Sequence, residues 1–144
     1  MTVIAKAAVE VAVPVERAWT LITSWERQGE WMPMTQVWSE EGDRVGGRLF
    51  ARTGIGRLAF LDTMDITRIE PPRLCEVRHT GHIVRGRGVF RVEAADDGRS
   101  RVSWEEHLDL PLGVVGRAGW VLVKPLAVLG LHLALRRFAR LARP

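Results

Sequence analysis

The chain has 144 residues, 47% of them hydrophobic and 26% charged. That mix suits one globular domain over 1–144 and excludes intrinsic disorder, collagen-like repeats and low-complexity structure. The net charge of +4 raises nucleic acid or an anionic membrane as partners, yet only Lys6 and Lys124 of the 21 basic residues are lysines. So strong a skew toward arginine fits genome composition as well as phosphate binding. Cys75 is the single cysteine, so no internal disulfide is expected and nothing points to an oxidising compartment.

The opening residues show no charged leader followed by a continuous apolar stretch, so no signal peptide is expected and cytoplasm is the default compartment. Val3, Ala5, Ala7, Val9 and Val11 fall on one side of an extended segment, with Lys6 and Glu10 on the other, the pattern of a half-buried strand. Pro14 suits the first position of a helix, and Val15, Ala18, Trp19 and Ile22 follow at helical spacing. Thr23 and Glu26 are spaced as a capping box, which predicts a second short helix running to about Trp31 and ended by Pro33.

From Gln36 to Leu110 turn signals recur at Gly42-Asp43, Gly46-Gly47, Gly54-Ile55-Gly56, Pro71-Pro72, Gly81 and Asp97-Gly98. The segments between them, about 36–41, 47–53, 57–70, 73–80, 83–94 and 100–110, read as strands. Their short connections favour antiparallel pairing. After Pro111 the period becomes helical. Val115, Gly119, Leu122, Leu126, Leu129 and Leu133 form one stripe, and Arg136, Arg137, Arg140 and Arg143 crowd the last turns, where they complement the helix dipole. Pro125 is expected to kink or divide this helix.

An antiparallel sheet with one apolar face must cover it, and only the C-terminal helix is long enough to do so. The fold class is therefore α+β. It is a helix grip, with a curved antiparallel sheet of about seven strands wrapped around the long C-terminal helix and two short helices after the first strand.

The segments that punctuate this order are Pro14-Val15-Glu16-Arg17-Ala18-Trp19, Glu30-Trp31-Met32-Pro33 and Val45-Gly46-Gly47. Ser103-Trp104-Glu105-Glu106 and the Leu110-Pro111-Leu112-Gly113 approach to the last helix complete them. With these segments the chain resembles the START-like, pollen-allergen-like helix-grip (SRPBCC) superfamily, and within it the polyketide cyclase/dehydrase-like branch. The resemblance covers essentially the whole chain. It implies a cavity between sheet and long helix that holds a hydrophobic small molecule, in proteins that include aromatase/cyclases and lipid or quinone carriers.

Several residues bear on such a cavity. Val84, Gly86, Gly88, Phe90 and Val92 share one face of the 83–94 strand. Glycine within a strand marks close approach by another group, here either a ligand or Trp120 or another helix side chain. On 100–110, Val102, Trp104, Glu106, Leu108 and Leu110 share a face, which would turn Glu106 inward beside Trp104. Desolvation of that carboxyl would suit it to acid–base work; an inward arginine partner or a rim position is the plainer alternative. Asp62 interrupts the apolar face of Leu58, Phe60, Met64 and Ile66. A bulge or an exposed strand end would turn it outward.

Other motifs dissolve on inspection. Cys75 and His79 stand four residues apart on a strand, roughly 13 Å, too far to share a zinc ion bound at about 2.0–2.3 Å, so no metal site is expected. His79 is a candidate polar contact in the cavity, whereas His107 and His132 read as structural. Gly54-Ile55-Gly56-Arg57-Leu58-Ala59 fits a loose dinucleotide pattern but precedes a strand, so it reads as a hairpin turn and no cofactor is expected. Arg85-Gly86-Arg87-Gly88 reads as the solvated face of a strand without aromatic stacking platforms, so no nucleic acid is expected. Lys124-Pro125 near the middle of 118–135 argues against an integral membrane helix. Apolar residues off the main stripe, Val121 and Val128, suggest a homodimer contact or transient membrane docking through the arginine-rich end.

The sequence supports three readings. The first is a domain enclosing a hydrophobic small molecule, lipid or polyketide-like. Trp31, Phe60, Met64, Phe90, Trp104, Trp120 and Val123 would line the cavity, Gly86 and Gly88 would leave it room, and Glu106 with His79 would supply polar contacts. The second, resting on the resemblance, is an enzyme of cyclase/dehydratase type with Glu106 as acid or base. The third is a protein-interaction module, supported by the basic surface alone.

Overall fold

Strict alternation makes the first strand. In the computed structural model, which describes residues 2–144, β1 (Thr2–Val11) buries Val3, Ala5, Ala7 and Val11 and turns Lys6 and Glu10 to solvent. Helix α1 (Val15–Ile22) buries Ala18, Trp19 and Ile22, and Pro14 occupies its cap in an extended conformation, one place before the first helical residue.

The Thr23–Glu26 capping box does not form. Thr23 closes α1 instead: its hydroxyl donates to the Trp19 carbonyl at 2.7 Å, and its N–H also turns back to that carbonyl. Glu26 accepts from the Ser39 hydroxyl at 3.1 Å. Beyond Ser24 the chain forms a single 3₁₀ segment, Trp25–Glu30, which buries Trp25 and Gln28.

Strands β2 (Thr35–Glu40), β3 (Arg48–Thr53), β4 (Phe60–Glu70), β5 (Leu74–His79), β6 (Gly86–Ala94) and β7 (Ser100–Asp109) join β1 in one antiparallel sheet. Its order is β1-β7-β6-β5-β4-β3-β2. Two predicted strands begin later than the alternation suggests: Gly56–Leu58 is a 3₁₀ turn, and 83–85, including Val84, is loop. The bulge in β4 lies between Ile66 and Arg68, not at Asp62.

Register defines the two ends of this sheet. Thr35 pairs Thr53, Thr53 pairs Phe60, His79 pairs Gly86, Gly86 pairs Leu108 and Thr2 pairs Asp109. Those residues therefore share one end, the open end, and the connections 54–59, 80–85 and 110–112 all emerge there.

Helix α2 (Gly113–Leu141) is 29 residues long and begins at the open end. It runs unbroken past Pro125. The proline leaves the carbonyl of Val121 without its usual N–H donor, at a residue that is 72% exposed. The face α2 buries is that of Leu131, Ala134, Leu135 and Phe138. The predicted core stripe of Val115, Gly119, Leu122, Leu126, Leu129 and Leu133 faces solvent instead. The reason is that α2 is apolar on both sides, so apolar spacing alone does not single out the sheet-facing stripe.

Candidate functional site

A cavity of about 300 Å³ lies between the inner face of the sheet and α2. Its walls are mainly apolar, with Val37, Leu49, Met64, Phe90 and Trp104 on one side and Ala127, Gly130, Leu131 and Ala134 of the helix on the other. The small residues Ala127, Gly130 and Ala134 recur at helical spacing and thin the helix where it crosses the void. A larger groove of about 660 Å³ runs over the outer face of the sheet past Arg78, Arg85, Arg87 and His107. That groove is polar and open, whereas the inner cavity has the mostly apolar lining and few convergent polar groups of a small-molecule site.

Three polar side chains meet at the cavity. His79 Nδ1 lies 2.9 Å from Asp62 Oδ1, and His79 Nε2 lies 2.9 Å from Glu106 Oε2. Trp104 Nε1–H donates to the other oxygen of Glu106 at 2.8 Å. The sheet builds this brace by register. His79 ends β5 opposite Met64 of β4, which leaves Asp62 diagonal to it and nearer the open end. Glu106 belongs to β7, two strands from His79, and is paired with Gly88 of β6. Because Gly88 carries no side chain, the imidazole and the carboxylate meet over the top of β6. A Cβ at Gly88 would stand 3.1 and 3.3 Å from the two Glu106 oxygens.

Electrostatics fix the protonation of this group. Burial alone would lower the His79 imidazole, but its hydrogen bonds to Asp62 and Glu106, reinforced by their charges, override that and push it up to about 10. At neutral pH both ring nitrogens therefore donate, each to one carboxylate. The imidazole side chain is 3% exposed, against 14% for Asp62 and 17% for Glu106. The carboxylates are thus the more accessible members of the brace, and all three groups line the cavity. An imidazolium cannot serve as a base, so the brace offers hydrogen-bond acceptors rather than a proton-accepting ring. Burial pushes the Cys75 thiol up to about 12, which keeps it out of nucleophilic chemistry.

Of the residues singled out from sequence, Met64, His79, Gly88, Phe90, Trp104 and Glu106 line the cavity together. Glu106 is not the lone carboxyl in an apolar wall that its strand pattern suggested, because two N–H groups hold it. Asp62 also lines the cavity rather than turning outward, drawn in by His79.

Five expected lining residues lie elsewhere. Trp31 is core, packed edge-on against Phe90, Trp104 and Phe138 at 6.2, 5.9 and 5.3 Å between ring centres. Phe60 is half-buried at the start of β4, and Trp120 is half-buried against the core. Val123 is 51% exposed. Gly86 gives no room to a ligand: at φ +117° an added Cβ would lie 1.9 Å from the His107 carbonyl oxygen, so it serves close strand approach. Gln28, whose amide donates to the Ile22 carbonyl at 2.8 Å, lines the cavity and was missed. The Ala127/Gly130/Ala134 spacing was its one other legible sign.

A curved seven-stranded antiparallel sheet over a long C-terminal helix, with a cavity between them, defines a START-like helix-grip protein. The sequence agrees, since a model of the family described as polyketide cyclase / dehydrase and lipid transport matches residues 2–143. The chain belongs to that family. No curated protein matches it in sequence.

Solved structures share the fold at low identity. A START superfamily protein from Mycobacterium smegmatis has TM-score 0.76 and 14% identity over 96% of each chain. The ZhuI aromatase/cyclase from Streptomyces sp. R1128 has TM-score 0.70 and 16% identity over 99% of this chain and 97% of that one. The di-domain aromatase/cyclase StfQ from the steffimycin biosynthetic pathway has TM-score 0.74 and 13% identity, covering 99% of this chain and 51% of the other.

Proposed function

We propose that the protein binds a hydrophobic small molecule that carries a hydroxyl or phenol donor, seating the donor on the Asp62 and Glu106 carboxylates. The observation that carries this reading is an apolar cavity whose convergent polar groups are two carboxylates held in place by a buried imidazolium. Asp62 Oδ1 is occupied by His79, and among the described residues its second oxygen makes no hydrogen bond. A ligand hydroxyl would complete that shell, while the apolar walls bury the rest of the molecule. At about 300 Å³ the site lies at the small end of the usual ligand-pocket range of roughly 300–1,000 Å³. That size favours a compact ring system or one acyl segment.

The test is a titration of the protein with naphthol and with its methyl ether, read by quenching of tryptophan fluorescence. Naphthol should bind about tenfold more tightly, the value of one good hydrogen bond to a charged group. Asp62→Asn should erase the difference. Equal binding of both probes to the wild type would remove the carboxylates from recognition.

A second reading is catalysis of the cyclase or dehydratase type. It is favoured by one observation, that the Glu106 carboxylate reaches the cavity beside the aromatic wall of Trp104 and Phe90. Here Glu106 would take a proton from a substrate carbon or hydroxyl while His79 and Trp104 hold it in place. Glu106→Gln should then abolish turnover of a polyketide-like substrate and spare binding. Unchanged turnover would leave binding as the function.

A further inference from the structure

The open end of the sheet carries an unusual concentration of exposed apolar side chains. Ile55 and Leu58 stand on the 54–59 connection, Ile83 on 80–85 and Leu112 on 110–112, with Leu58 87% exposed. Helix α2 extends this surface, because its first half is mostly exposed, Val114 by 80% and Leu122 by 78%, with Trp120 packed back toward the core. Among the described residues α2 is the one helix long and apolar enough to cross a membrane. Its second half is nevertheless fixed in the core by Leu131, Leu135 and Phe138, so it cannot thread a bilayer while the sheet is in place. It can only lie on one.

Charge says what the surface meets. The segments 54–59, 80–85 and 110–126 contain no Asp or Glu and hold Arg57, Arg85, Arg117 and Lys124. The connections at the opposite end contain Glu41, Asp43, Asp96 and Asp97 together with Arg44, Arg73 and Arg99, so they carry acids where the open-end connections carry none. The open-end connections and the first half of α2 are thus apolar and basic, with Asp109 at the end of β7 and Asp62 beside the cavity as the acids near them. A second copy fits this surface poorly, since a two-fold contact would set the same cations against one another. An apolar face rimmed by arginine and lysine matches the boundary of a negatively charged bilayer, where side chains bury among acyl chains and cations meet phosphates.

We infer that the open end and the free half of α2 dock the protein on an anionic lipid surface. This deepens the proposed ligand reading and rests on it, because docking at this end would put the cavity next to the acyl layer: Ala127 and Gly130 line the cavity directly after the exposed half of α2, beside Thr53 and Asp62 of the open end. The arginine cluster Arg136–Arg143 is not the docking element. It begins roughly 35 Å along the helix from Gly113, at 1.5 Å per residue.

The experiment is co-sedimentation with vesicles of phosphatidylglycerol and phosphatidylcholine in equal parts, and with phosphatidylcholine alone. Wild-type protein should partition about tenfold better onto the anionic vesicles, and high salt should weaken that binding. The double variant Leu58→Asp, Leu122→Asp changes two exposed positions. It should lose vesicle binding by about tenfold or more and keep naphthol binding, which also reports that it folds. Equal partition of wild type onto both vesicles, or vesicle binding by the double variant equal to wild type, would overturn the proposal. A concentration-dependent dimer in vesicle-free sedimentation that the double variant abolishes would also overturn it and give the surface to a second copy. Vesicle binding without naphthol binding in the wild type would uphold the docking surface and overturn only the ligand reading.

Discussion

His79 on β5 reaches Glu106 on β7, 2.9 Å away, across an intervening strand. Strands two places apart are separated by roughly 9–10 Å, so the contact requires that the strand between them raise nothing into the gap. Gly88 meets that requirement. The consequence for the fold is that one buried cation ties β4, β5 and β7 together from the inner face, with Trp104 held into the same network through Glu106.

Gly88→Val should therefore act on the site before it acts on the strand. An added Cβ would crowd both Glu106 oxygens and the Val77 methyl at 3.3 Å. Overpacking of this kind costs about 1–3 kcal/mol. Urea denaturation should register that loss, and naphthol affinity should fall with it. A variant of unchanged stability and affinity would show that the lane over β6 is not needed.

His79→Gln leaves two carboxylates facing each other without their cation. Breaking a buried ion pair from one side costs about 3–5 kcal/mol, so the variant should unfold at markedly lower urea. The pH dependence has a definite sign. The folded imidazole sits at about 10 against an ordinary 6.5, so protonation favours the folded state. Its stabilisation is fully present below 6.5 and fades as pH rises through 10. The stability gap between wild type and variant should narrow over that window, and the His79 ring resonances should not titrate between pH 5 and 8. A titration near the ordinary imidazole value would dissolve the imidazolium assignment.

Trp104→Phe separates packing from hydrogen bonding. The ring would still meet Phe90 and Trp31, whose centres lie 5.2 and 5.9 Å from it, but the N–H donated to Glu106 would be gone. Loss of a hydrogen bond to a charged acceptor is worth about 1.5–3 kcal/mol. The expected result is a stability loss of that size, measured by thermal or urea unfolding, with the preference for naphthol over its methyl ether retained through Asp62. Loss of that preference would assign the donor contact to Glu106 alone.

The contrast between Glu106 and Asp62 shows what a strand pattern can and cannot convey. Glu106 is legible because Val102, Trp104 and Leu108 alternate with it, and alternation is a local property that the pleat converts directly into an inward direction. Asp62 alternates in the same way with Met64 and Ile66, but whether an acid stays inward depends on a cation that arrives from 17 residues away. No local pattern carries that partner. The capping box failed for a related reason: Thr23 had a nearer acceptor in Trp19.

Helix α2 poses the same problem at larger scale, and two substitutions expose it. Leu133 and Phe138 are both apolar residues of α2, yet Leu133 is exposed and Phe138 is 1% exposed, edge-on to Trp31. Periodicity finds two apolar sides on this helix; only the sheet decides which is gripped. Phe138→Ala should cost about 3–5 kcal/mol because it removes a buried ring and leaves a void. Leu133→Ala, which leaves its buried neighbours untouched, should stay within about 0.5 kcal/mol of wild type. Urea titrations of the two variants side by side decide between the faces. Equal losses would mean that the outward stripe is covered in solution, and a large loss at Leu133 alone would reverse the orientation of α2 on the sheet.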